Sequence, residues 1–155
     1  MLRPESKIMN TSPRKTRVCN IDALDAQLKA AIRAYGAKFG LEDMESDILM
    51  CCETISAHHK KGFFGGIQTT LSAVYVTPKW LVWADSSGPN DVVVGTAQLS
   101  EIHVRDDEAT GQGLNISGRF TEENRTGITI IMLETESDGQ KFRHVLHEAL
   151  SNISK

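Results

Sequence analysis

The chain has 155 residues, 40% of them hydrophobic and 24% charged, with a formal net charge of −3. That length suits one domain with a core of its own, which needs no disulfide or metal staple. The acidic balance argues against non-specific nucleic-acid binding, which depends on Lys and Arg neutralising phosphates.

The charge is uneven. Residues 1–20 hold five bases (Arg3, Lys7, Arg14, Lys15 and Arg17) against Glu5, which leaves −7 on the remainder. Residues 1–19 are polar, interrupted by Pro4 and Pro13, and without periodicity, so they are expected to form a disordered basic leader. No apolar stretch approaches the ~18 residues of a membrane span, and the N-terminus lacks the apolar core of a secretory signal. The expected location is the cytoplasm. Three cysteines, with Cys51 and Cys52 adjacent, indicate no disulfide framework.

A helix is expected over 20–40. Asn20 or Asp22 can cap it, Leu24, Leu28, Ala31, Ile32 and Tyr35 recur at helical spacing, and Gly36 and Gly40 mark its end. Asp47–Ile55 fits either a strand or a period near 3.6, and a strand is expected because the residues after it require a sheet partner. Between them and the next strand lies SAHHKKGFFGG, Ser56 to Gly66. Ile67–Val76 is dense in β-branched residues and predicts a strand, followed by a turn at Thr77-Pro78-Lys79 and a strand from Trp80 to Ala84. Ser86–Asp91 reads as a loop. Val92–Leu99 and Ile102–Arg105 form the next strand, with a bend or bulge between them. After a turn at Asp106–Gly113, Leu114–Phe120 alternates apolar with polar, and the last strand spans Thr126–Thr135. The chain closes on an amphipathic helix whose stripe is Phe142, Val145, Leu146, Ala149, Leu150 and Ile153.

About six or seven strands closed by one helix resemble the pleckstrin-homology-like superfamily, including GRAM-type and bacterial PH-like domains. The residues carrying the resemblance are Gly66–Trp83 (GIQTTLSAVYVTPKWLVW) and Lys141–Leu146 (KFRHVL). The resemblance covers residues 41–155. It implies an α+β, mainly β domain: a strongly bent antiparallel barrel, partly open, with the last helix plugging one end and SAHHKKGFFGG at the other. Two features depart from the family. Phe142 stands where eukaryotic members carry a tryptophan in the last helix, and Ile67–Val76 holds no Lys or Arg, so tight phosphoinositide recognition is not expected. A helix-grip α+β domain enclosing a ligand cavity is the alternative architecture.

Two candidate sites follow. In the loop, Lys60 and Lys61 supply charge, His58 and His59 add donors, and Phe63 and Phe64 offer an apolar contact for an anion, a membrane or a partner. A hairpin whose aromatics fold back over the barrel mouth explains the same residues. Trp80 and Trp83, three apart on a strand, should face opposite sides, one in the core and the other exposed as a contact or covered by the N-terminal helix. Adjacent histidines on an extended chain point apart, which argues against a shared metal ion. The chain carries no GxSxG, P-loop or GxGxxG motif, and no catalytic residue, metal or cofactor is expected. The expected function is a non-catalytic binding or scaffolding module acting through protein–protein contact or self-association. Weak attachment to an anionic membrane through the Lys60–Phe64 loop is the first alternative, and a helix-grip small-molecule carrier or enzyme the second.

Overall fold

Strand-forming sequence dominates the chain after Ser46, and the structure turns most of it into antiparallel sheet. A computed structural model describes residues 14–59, 67–88, 91–106, 113–121, 125–135 and 137–153. Among them, β1 (Arg14–Val18), β2 (Met50–His59), β3 (Ile67–Val76), β4 (Trp80–Gly88) and β5 (Asp91–Gln98) form one sheet in that order. β6 (Ile102–Asp106), β7 (Gly113–Phe120) and β8 (Arg125–Met132) form a second. Helix α1 (Ala26–Lys38) lies between β1 and β2, and α2 (Ser137–Ile153) ends the described chain. The class is α+β, mainly antiparallel β. Among the described residues the two sheets share no strand pairing, so the strands do not close into a barrel.

Several expectations need correction. The leader was expected to be disordered through residue 19, yet Arg14–Val18 pairs with β2 from Arg14↔Ser56 to Val18↔Cys52. The N-terminal helix starts later than residue 20. Asp25 caps α1 by accepting from the Gln27 and Leu28 amides, after a 3-10 turn at Ile21–Ala23. Ser86–Gly88 belongs to β4 and pairs with β5, with a register shift between Ser86 and Gly88. The expected bend between Leu99 and Ile102 is a full break. A 3-10 turn at Leu99–Glu101 carries the chain from the first sheet to the second, anchored by the Leu99 amide on the Lys79 carbonyl at 2.9 Å.

The five-stranded sheet is covered on both faces. On one, Cys51, Tyr75, Trp80, Val82 and Ala84 pack against Leu28, Ile32 and Tyr35 of α1. On the other, Cys52, Val74, Leu81 and Trp83 meet Leu114 and Ile116 of β7, Ile131 of β8, and Phe142, Leu146 and Ala149 of α2. Each Val, Leu, Ile or Phe side chain among them, fully buried, contributes about 1.5–3 kcal/mol. Two-sided burial explains why Trp80 to Ala84 is apolar without alternation.

The N-terminal strand is held by charge rather than apolar contact. Arg17 donates through Nε (3.1 Å) and Nη2 (2.7 Å) to Oε1 of buried Glu53, and Nη2 also reaches the Ala23 carbonyl at 2.8 Å. Glu53 Oε2 accepts from the Asp25 amide at 2.7 Å, so one carboxylate joins β1, β2 and the start of α1. Arg17→Ala leaves that carboxylate without its charged donor and is expected to cost about 1–3 kcal/mol. Urea unfolding should show a lowered midpoint at unchanged slope, while Lys15→Ala stays within about 0.5 kcal/mol of the parent. Equal losses for the two variants would mean the Arg17–Glu53 contact contributes nothing.

Candidate functional site

At the end of the first sheet near the β2–β3 connection, His58 and His59 pair in register with Gln68 and Ile67. Their side chains, and all of Lys60, Lys61, Phe63 and Phe64, lie outside the described residues. Trp80 and Trp83 do face opposite sides, but neither is an exposed contact. They are 4% and 5% exposed, one under α1 and the other under the second sheet.

Inside the sandwich, polar residues gather toward the same end. Thr16, Thr54, Ser72 and Asp85 form a transverse row across four strands, following the pairs Thr16↔Thr54, Thr54↔Ser72 and Ser72↔Asp85. The Thr16 and Thr54 hydroxyls share a hydrogen bond at 2.8 Å, and Arg14 Nε donates to Ser56 Oγ at 3.1 Å in the next row. Burial pushes the Asp85 carboxyl up, and the Ser72 hydroxyl opposes part of that shift. The alternation Cys52, Thr54, Ser56 on β2 was the available signal for this row.

Three strand edges are treated in two ways. β1 is blocked: its Thr16 amide donates to Glu134 Oε1 at 3.0 Å, and its Val18 amide donates to Asp138 Oδ2 at 2.9 Å. That bond holds the Asp138 carboxyl below the usual carboxylate range. The Glu134 amide returns a bond to Thr16 Oγ1 at 3.0 Å, so carboxylates cap an edge that would otherwise accept another strand. β5 and β8 instead flank a cleft of about 440 Å³, lined on one side by Val93–Thr96 and on the other by Thr126–Thr129. Its floor is an edge-to-face pair, Trp83 and Phe120, with ring centroids 5.3 Å apart. Gly95 permits this arrangement, since a Cβ there would fall 2.4 Å from the Trp83 ring. One end is tied by the Thr121 amide on the Thr96 carbonyl at 2.9 Å.

β8 has an apolar outward face beside this cleft. Ile128, Ile130 and Met132 are 72%, 39% and 38% exposed, and Val93 on β5 is 63% exposed. From Thr126 to Leu133 the chain carries no charge. Ile131 is buried on the opposite face, so this strand is apolar on both sides. The sequence reading missed this feature; an uncharged run with no Lys or Glu on either parity was its signal.

No protein-family model, curated protein or solved structure matches the chain. Among the described residues no helix is long and apolar enough to cross a membrane, and no three His, Cys, Asp or Glu side chains gather as a metal ion would need.

Proposed function

We propose that the chain is a non-catalytic protein-binding module of PH-like architecture, which docks an extended segment of a partner along the β8 edge. Four consecutive strands (β2–β5), then three (β6–β8), then a closing helix support the architectural reading. In it, β1 and α1 are additions that occupy an edge and the outer face of the first sheet. The observation carrying the functional reading is the β8 edge itself, with three exposed apolar side chains and no charge to repel a second strand. Added strands gain main-chain hydrogen bonds from such an edge and selectivity from alternate side chains.

The scale is modest. With Val93, the exposed area amounts to roughly two full apolar side chains, or about 3–6 kcal/mol before ordering costs. Main-chain bonds at about 0.5–1.5 kcal/mol each bring this to a transient, roughly micromolar association. The full chain displayed against a random-peptide library should enrich peptides with alternating apolar residues. Ile128→Lys/Ile130→Lys should weaken a selected peptide at least tenfold, measured by isothermal titration, with Tm unchanged. Absence of enrichment, or binding indifferent to the double substitution, rejects the β8 edge. A concentration-dependent dimer in light scattering, lost in the same variant, identifies a second copy as the partner.

A further inference from the structure

Pairing between the N-terminal strand and β2 continues past Val18. Val18 stands opposite Cys52, and the next residue, Cys19, donates its amide to the Cys51 carbonyl at 2.9 Å. Residues directly opposite on antiparallel strands have Cα atoms about 4.5–5.5 Å apart and side chains on the same face. A disulfide spans Cα separations of about 4.4–6.8 Å. Cys52 belongs to the opposite face, within the core between the sheets, so the geometry selects Cys51 over its neighbour.

The pair is also reachable. Cys19 is half-buried and Cys51 buried, and both line a cleft of about 620 Å³ formed by Val18–Asp22 and Ile48–Cys51. A small oxidant fits that space. All three cysteines are free thiols in the structure.

We infer that Cys19 and Cys51 form a reversible cross-strand disulfide that clasps the β1–α1 segment onto the sheet when a peroxide is present. Cys19, the more accessible thiol, reacts first. Its Sγ attacks one oxygen of hydrogen peroxide, the O–O bond breaks, and the departing hydroxide takes up the thiol proton as water. Cys51 Sγ then displaces hydroxide from the Cys19 sulfenic acid, forming the S–S bond, and the Cys51 proton leaves with that hydroxide as a second water. Two thiols lose two electrons and two protons, and one peroxide becomes two waters. Burial raises both thiols above the usual range, with Arg17 partly offsetting it at Cys19, so closure is slow and suits sustained oxidation. The closed loop, residues 20–50, contains α1, whose cover of the sheet becomes covalently fixed.

The test is mass spectrometry of the full chain after hydrogen peroxide and thiol alkylation under denaturing conditions. The expected result is loss of two hydrogens, a linked peptide pair containing Cys19 and Cys51, and one alkylated thiol at Cys52. Dithiothreitol should reverse it, and the oxidised chain should melt roughly 5–10 °C higher. Cys51→Ser should leave Cys19 as a sulfenic acid captured by dimedone, while Cys52→Ala should still close. A Cys19–Cys52 bridge, a bridge between chains, or wild-type Cys19 oxidised without a bridge overturns the assignment. Three unreacted thiols after hours in millimolar peroxide overturn it equally.

Discussion

Phe142→Ala is expected to lower the unfolding free energy by about 3–5 kcal/mol. The Phe142 ring is fully buried, in one cluster with Leu114, Ile116, Ile131, Leu133 and Leu146. Removing it deletes apolar contact and leaves a cavity that a helix and two sheets cannot all close in to fill. Domains of this kind have a total stability of about 5–15 kcal/mol, so the variant is expected to be marginal at 37 °C. Calorimetry should register a fall of roughly 6–20 °C in Tm. His144→Ala, exposed on the same helix, should shift stability by about 0.5 kcal/mol or less. A Phe142→Ala chain within 1 kcal/mol of the parent would show that α2 is not docked on the core. The loss should also spread. α2 supplies Asp138, which caps the Val18 amide, so hydrogen exchange in β1 should speed up before that in β3.

β3 and α2 were legible because their local residue patterns agree with the way they pack. Ile67–Val76 is the strand the β-branched residues predict, and the final helix carries its stripe where the period puts it. β1 was illegible for the opposite reason. Its residues RKTRV bury only Thr16, and the side chains that accept from its backbone amides, Glu134 and Asp138, are more than a hundred positions away. Local propensity contains no trace of a strand held that way. Trp80 and Trp83 were half legible. The period of two placed them on opposite faces, but exposure of the second and its cover by the N-terminal helix stayed equally open, although the unbroken apolar run between them signals cover on both sides. The β8 face is a converse case: the uncharged run is plain in the sequence, whereas its exposure depends on how the second sheet lies over the first. Cys19 and Cys51 are far apart in sequence, and only the register of β1 makes them neighbours.

Gly118→Ala should rival Phe142→Ala, although it adds one methyl group rather than removing a ring. Gly118 sits inside β7 with φ of +144°, a region that L side chains rarely adopt. A Cβ there would lie 2.1 Å from the Glu101 carbonyl oxygen and 2.8 Å from the Ile102 Cα. Both obstacles are backbone, so no rotamer change relieves them. They belong to the turn that passes the chain from β5 to β6, and Ile102 is the residue paired with Gly118. Overpacking and backbone strain together should cost about 2–5 kcal/mol, lowering the urea midpoint accordingly. The opposing residue on the other side of β7 provides the comparison. Gly127, paired with Gly118 on β8, has only the Phe120 ring nearby, at 3.3 Å, and a ring edge can yield by a few tenths of an ångström. Gly127→Ala should therefore stay within about 1 kcal/mol of the parent. If the two alanines cost the same, β6 does not start against Gly118. The handover between the sheets would then run elsewhere, taking with it the angle that leaves the β8 edge open.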